Sequence, residues 1–160
     1  IPSGTSSSNL ASTLDMLPSF SAIAGTPLPD KEFDGVNILP LYTGDPGASP
    51  RSHLFFYYPQ GGPFDQLQAV FDGRWKLHFP HEYRSYEGVD PGMDGWPGPY
   101  ARGETGLALF DLESDPTERT DVKETQPEIV DRLQKLGETA REELGDKDLE
   151  GKGTRPPGRF

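Results

Sequence analysis

Cysteine is absent from these 160 residues. That excludes a disulfide framework, a thiolate zinc site and a cysteine nucleophile. Apolar residues make up only 32% of the chain, and no run of them is long enough to cross a bilayer as a helix. Positive charge is scarce as well: 15 Lys and Arg stand against 26 Asp and Glu, for a net charge of −11. This balance argues against nucleic acid, and against an anionic membrane surface, as partners. The acidity itself reads as a solvated surface. No G-x-S-x-G elbow and no phosphate-cradling glycine loop occurs, and no carboxylate pair is marked out for acid–base work. What abounds is turn chemistry, with 19 Gly and 17 Pro. The chain is loop-rich, long enough for one domain, and has a small core for its length. It begins at Ile1 rather than Met and is expected to be an excised or truncated segment.

Residues 67–84, LQAVFDGRWKLHFPHEYR, dominate the rest. Two alternating runs, 67–71 and 74–79, flank Asp72-Gly73, a pair suited to a two-residue type I′ turn. That turn sets Val70 opposite Trp75 and Ala69 opposite Lys76. Val70, Trp75, Leu77 and Phe79 then share one face; Leu67, Ala69, Phe71, Arg74, Lys76 and His78 share the other. Unbroken apolar runs at 54–58 and 107–112 read as further strands with both faces covered.

Before the sheet, Asp15 as N-cap, Pro18 in the first turn and Gly25 as stop predict a helix over 16–24, with Leu17, Phe20, Ile23 and Ala24 as its apolar stripe. After the sheet, Thr125-Gln126-Pro127-Glu128 reads as a capping box. Ile129, Val130, Leu133, Leu136, Ala140 and Leu144 then form one stripe of about five turns ending at Gly145. Residues 85–106 read as a long Gly/Pro loop, and 146–160 as a polar extended tail. The fold class expected is α+β: a small antiparallel sheet of three to four strands packed against a long C-terminal helix, with an N-terminal helical arm. One long helix covers one sheet face, so the second face is expected to pack on something outside the chain. The division expected is an arm at 1–45, a sheet-and-helix part at 46–145 and a tail at 146–160.

The candidate chemistry lies at one strand end. Arg74, Lys76, His78, His81 and Arg84 gather hydrogen-bond donors beside the long loop, where an anion could be held. Ordinary solvated charge on an edge is the competing reading. His78-x-x-His81 crosses a strand end and Pro80 with no third ligand in view, which disfavours a metal site.

The order of motifs resembles the type I sulfatases. The parallels are Ile1-Pro2-x-Gly4, Leu14-Asp15-Met16-Leu17-Pro18-Ser19-Phe20, Asp34-Gly35 through Pro40-Leu41, Ala69-Val70-x-x-Gly73-x-Trp75-Lys76-Leu77-His78-Phe79, and Leu109-Phe110-Asp111-Leu112-x-x-Asp115-Pro116-x-Glu118. They run collinearly over nearly the whole chain and resemble the C-terminal portion of the arylsulfatase A and N-acetylgalactosamine-6-sulfatase branch. The departures are Phe71 where the family often has Arg, Ser19 for Thr and Phe110 for Tyr. The resemblance implies an alkaline-phosphatase-like parent fold. It also implies a formylglycine nucleophile made at C/S-x-P-x-R and a calcium ion holding the sulfate, both upstream of Ile1; no such motif occurs here, so this chain alone is expected to be inactive. It implies Lys76 and His78, with His81, Tyr83 and Arg84, as substrate contacts, and residues 85–106 as a specificity loop. The partners implied are the N-terminal sulfatase domain and a sulfated carbohydrate or aryl sulfate, without nucleic acid or membrane insertion. The setting implied is periplasmic, secreted or lysosomal. A free-standing carbohydrate-binding or interaction module is the alternative.

Overall fold

The computed structural model describes residues 2–45, 47–58 and 66–154. Ile1 of the first motif, the turn expected at 59–63 and the tail beyond Thr154 lie outside the described residues. The chain divides into two compact units between Leu54 and Phe55.

The first unit is built around a buried polar knot. Ser12 caps a 3-10 turn at Thr13–Asp15, which runs into α1 (Met16–Ala24) and stops at Gly25 in the left-handed region, φ 63°. The helix is where its signals place it, but Asp15 does not cap it. Its carboxylate instead accepts hydrogen bonds from Val36 N at 2.9 Å, Ser12 N at 2.8 Å and Arg51 Nε at 3.0 Å, with a second contact from the Arg51 guanidinium. Burial alone would raise the Asp15 pKa, but the bonds from Arg51, Val36 and Ser12 outweigh it and hold the carboxyl below its usual value. Ser19 Oγ donates to Asp15 O at 2.6 Å and accepts from Ile38 N at 2.9 Å, which ties down the segment leading into α2 (Leu39–Thr43). A Cβ on Gly35 would stand 2.1 Å from Leu14 O, so only glycine lets this strap pass the helix start. The face of α1 turned inward is therefore Asp15, Pro18 and Ser19, while Leu17, Phe20 and Ile23 are exposed. This reverses the stripe expected from periodicity. The polar knot buries three backbone N–H partners, and the apolar row is left facing out.

The second unit carries the sheet. Its strands are β1 (Leu54–Tyr58), β2 (Gln66–Phe71), β3 (Trp75–His78), β4 (His81–Ser85), β5 (Ala101–Thr105) and β6 (Ala108–Asp111). The four-stranded sheet has the order β1-β2-β3-β6; β4 and β5 form a separate two-stranded ribbon. The architecture is α+β, with an open sheet packed on a long helix. That helix, α3 (Pro127–Leu144), has Pro at its first position, but no side-chain capping bond. Thr125 sits in a preceding 3-10 turn and donates its hydroxyl to Val122 O at 2.9 Å, so the expected capping box does not form. Leu67, Val70, Leu77, Phe79 and Leu109 of the sheet side pack with Val130, Leu133 and Ala140 of the helix. Each such side chain, fully buried, contributes roughly 1.5–3 kcal/mol. Leu144, expected in the stripe, is exposed.

The hairpin register differs from expectation by two residues: Val70 faces Leu77 and Phe71 faces Lys76. Asp72 N donates to Trp75 O at 3.2 Å, so the two loop residues are Gly73 and Arg74 rather than Asp72 and Gly73. Gly73 has φ 100° and Arg74 is not in the positive-φ region, the one-glycine pattern of a type II′ turn. The Asp72 side chain explains the choice. It accepts from Arg74 N at 3.0 Å and Trp75 N at 2.7 Å and also pairs with Arg132 of α3. A two-residue shift keeps every side chain on its face, so the sheet faces stay as read. The exception is Leu67, which joins the core with Val70 while Gln68 and Ala69 turn to the other side.

Two further pairings depart from the sequence expectation. Residues 101–105, expected within the long loop, form β5 against β4 in the register Tyr83↔Gly103 and Arg84↔Arg102. The start of the supposed tail forms a short hairpin, β7 (Gly145–Asp146) with β8 (Leu149–Glu150). It is held to the sheet by Tyr57 Oη donating to Gly145 O at 3.0 Å and Leu67 N donating to Asp146 Oδ1 at 3.1 Å. Burial and the nearby Asp146 charge push the Tyr57 hydroxyl up to about 12.

Candidate functional site

The sheet face away from α3 is not a bare apolar surface awaiting cover. With the β4–β5 ribbon it walls a cavity of about 580 Å³. Phe56 and Tyr58 of β1, Gln68 and Ala69 of β2, and Lys76 and His78 of β3 line one side. His81, Tyr83 and Arg84 of β4, with Tyr100 and Arg102, line the other. All five residues singled out from sequence, Lys76, His78, His81, Tyr83 and Arg84, meet in this one space. The local cause is simple: β3 ends at His78, Phe79 and Pro80 turn the chain, and β4 begins at His81. Arg74 does not join them; it pairs with Asp111 at 2.8 Å, at the hairpin end. His53, in the first unit, lies beside Ser52 Oγ at 2.9 Å.

The polar groups are fixed in position. Lys76 Nζ donates to Glu118 Oε1 at 2.7 Å and lies 5.0 Å from the Phe56 ring centre. His78 Nε2 lies 2.8 Å from Glu118 Oε2. That approach falls outside hydrogen-bond geometry and is an ion pair only if the imidazole is protonated, so this buried nitrogen has no directed partner among the described residues. Burial, and next the Lys76 charge, lower the His78 pKa; Glu118 opposes them without prevailing. His78 is thus neutral at pH 7. Its ring stacks on His81 at 5.3 Å and 20°, and meets Phe110 edge-on at 5.6 Å. His81 Nδ1 lies 2.7 Å from Phe79 O, which orients the second imidazole. Arg84 lies over the Tyr100 ring at 4.5 Å.

Glu118 is the residue that sequence reasoning missed. It stands at φ 55°, in the left-handed region, on a turn whose Asp115 carboxylate accepts from Arg119 N at 2.7 Å and Thr120 N at 2.8 Å. A non-glycine residue there costs roughly 1–2 kcal/mol, which the turn and the Lys76 bond offset. The signal was in view as D-P-x-E, noted only as a family signature. A second cavity of about 700 Å³ shares His78, His81, Tyr83 and Arg84, and has Glu118 and Arg119 in its wall.

Residues 49–152 match the family model of the C-terminal region of aryl-sulfatase. The chain belongs to the type I sulfatase family, as its C-terminal region. It is 38% identical to arylsulfatase A of Bos taurus over 138 residues, covering 79% of the chain and 26% of that protein. To N-acetylgalactosamine-6-sulfatase of Canis lupus familiaris it is 32% identical over 146 residues, covering 85% and 27%. The sulfatase chain therefore spans about a quarter of the length of these relatives. A solved structure from work on the metabolism of multiple glycosaminoglycans by Bacteroides thetaiotaomicron aligns with TM-score 0.56 and 25% identity, over 79% of this chain and 24% of that one. Another, solved with its substrate D-glucosamine-2-N,6-O-disulfate, shares the fold at TM-score 0.51 and 17% identity, over 79% and 23%.

The calcium and formylglycine that the family resemblance implies find no fitting residues among the described residues of this sulfatase region. The sequence has no cysteine and no C/S-x-P-x-R. No group of three or more His, Cys, Asp or Glu placed to hold an ion occurs among the described residues. What these residues can do is bind and orient: three cations, two imidazoles and aromatic faces surround a space within the range of small-molecule sites.

Proposed function

We propose that this chain is the C-terminal quarter of a sulfatase that cleaves sulfate esters of a sugar or an aryl alcohol, and that its cavity receives the alcohol portion of the substrate. The observation that carries the reading is the convergence of Lys76, His78, His81, Tyr83 and Arg84 on one cavity, in a chain without a C/S-x-P-x-R motif. The nucleophile and metal belong to an upstream catalytic part. Lys76 and His78 supply donors to substrate oxygens, and the tyrosines and Phe56 supply apolar faces for a ring. The names of the relatives, and a neighbour solved in glycosaminoglycan metabolism, support a sulfated sugar. The exposed row Leu14, Leu17, Phe20 and Ile23 of the first unit supports a docking contact with that catalytic part. A periplasmic, secreted or lysosomal setting is part of the same proposal.

The test is turnover of a chromogenic aryl sulfate by the 160-residue chain and by the polypeptide extended upstream in frame. The extended protein is expected to turn over and the chain alone is not. Lys76→Ala in the extended protein should lower kcat/KM by about 10- to 100-fold, the range for losing one charge-assisted hydrogen bond. Turnover by the isolated chain would refute the reading. An inactive extended protein whose isolated C-terminal chain binds sulfated glycans would favour a binding module instead.

A further inference from the structure

We infer that Arg84, stacked on Tyr100 and set opposite Arg102, docks a second oxyanion of the substrate, one beyond the sulfate that is cleaved. The inference rests on the sulfatase reading and narrows it to polyanionic substrates.

The register of the ribbon is the first ground. Arg84 stands directly opposite Arg102 on the same face, and like charges so placed destabilise a strand pair. Arg102 is relieved by Glu82, diagonal to it, at 3.0 Å. Arg84 has no carboxylate within ion-pair distance among the described residues; its contact is the Tyr100 ring at 4.5 Å. Its guanidinium makes no hydrogen bond among the described residues, so its N–H fork is open to a carboxylate or sulfate, which it suits bidentately.

The second ground is the distribution of charge. The chain carries a net −11, yet this cavity wall holds Lys76, Arg84 and Arg102 against the single acid Glu82. Lys76 is engaged by Glu118, and Arg102 by Glu82. Arg84 is the wall cation with no ion pair among the described residues; Glu104 shares its face diagonally across the ribbon without reaching it, and an anionic ligand would engage the open guanidinium.

The third ground is preorganisation. Tyr100, over whose ring the Arg84 guanidinium lies, remains 40% exposed. A sugar resting on that ring would place a substituent at Arg84.

The oxyanion could be a uronate carboxylate or a further sulfate ester. The experiment uses the extended sulfatase with three substrates: an aryl sulfate, a monosulfated disaccharide containing a uronate, and a disulfated disaccharide without one. Arg84→Ala should raise KM for an anionic disaccharide about 10- to 100-fold more than for the aryl sulfate, and Arg84→Lys should recover only part of the loss. The disaccharide that responds identifies the oxyanion. Equal effects on all three substrates, or none on either disaccharide, would overturn the inference. If the extended protein cleaves no sulfate ester, the sulfatase reading fails separately. Calorimetric titration of the 160-residue chain with the same two disaccharides then decides. Binding that Arg84→Ala weakens tenfold or more supports the site, and binding indifferent to the change, or absent, overturns it.

Discussion

Glu118 accepts a hydrogen bond from Lys76 at 2.7 Å, and its other oxygen lies 2.8 Å from His78 Nε2. One carboxylate, 42 residues downstream of Lys76, thereby fixes that cavity-lining cation and faces the imidazole two residues further along the strand. Glu118→Gln should leave the partly buried Lys76 ammonium without its counter-charge and cost about 1–3 kcal/mol in urea denaturation. Removing the anion also disfavours imidazolium, so the His78 pKa should fall further in an NMR titration. A rise would show that Glu118 does not act on His78.

The histidines give the protein an acid limb. Burial lowers the folded-state pKa of His78, with Lys76 adding to it, and burial lowers that of His53, with Arg51 adding to it. As pH falls through the unfolded value of 6.5, the unfolded chain takes up protons before the folded one does. Stability should therefore decline below about pH 6.5 and level off once pH passes below the folded pKa values. A second decline belongs to Asp15, Asp72 and Asp121, whose folded pKa values lie below 3.8; their contribution is full above that value and lost as pH falls through the depressed ones. Denaturation midpoints that stay level between pH 7.5 and 5.5 would contradict the histidine part.

Asp15→Ala strips the first unit of the acceptor for Val36, Ser12 and Arg51 and leaves the guanidinium facing a void. Breaking a buried ion pair from one side costs about 3–5 kcal/mol, so hydrogen exchange at the Val36 amide should accelerate more than a hundredfold. Asp15→Asn keeps one acceptor and should fall between.

Gly137 lies under Phe79: a Cβ there would stand 2.4 Å from the ring. Helix propensity favours Ala over Gly by about 1 kcal/mol, but overpacking costs about 1–3 kcal/mol. Gly137→Ala should therefore destabilise on balance, and Phe79→Leu in the same chain should recover part of the loss. A higher melting temperature for Gly137→Ala would mean that the ring shifts freely.

Phe20 lies 59% exposed on α1. Phe20→Ser should change the melting of the 160-residue chain by less than about 0.5 kcal/mol, while lowering that of the extended sulfatase. Equal effects in both would remove the row Leu14, Leu17, Phe20 and Ile23 as a docking contact.

The legible parts are those where a local signal has one solution. The ends of α1 were set by Pro18 and Gly25, and α3 by Pro127 and its apolar period. Four of the cavity residues, Lys76, His78, His81 and Arg84, are legible because they cluster about one strand end and its turn, while Tyr83 is implied by the family resemblance and Arg74, of the same cluster, lies outside the cavity wall. Asp15 was read as a cap because Asp before a helix usually is one; Arg51, 36 residues away in contact, redirected it. The strand Ala101–Thr105 has little apolar content and no alternation, so only its backbone pairing with His81–Ser85 makes it a strand.

By itself the sequence determined the family, the α3-backed sheet, the sidedness of the hairpin and the grouping of Lys76, His78, His81, Tyr83 and Arg84. The tertiary structure alone decided the hairpin register, the face that α1 buries, the β4–β5 pairing and the role of Glu118. The reason is the same in each case. Side-chain periodicity specifies which face a residue takes, and a slip of two residues, or a long-range polar partner, leaves that periodicity unchanged. Choosing among such arrangements takes contacts between residues far apart in the chain, Asp72 with Arg132, Asp15 with Arg51 and Glu118 with Lys76.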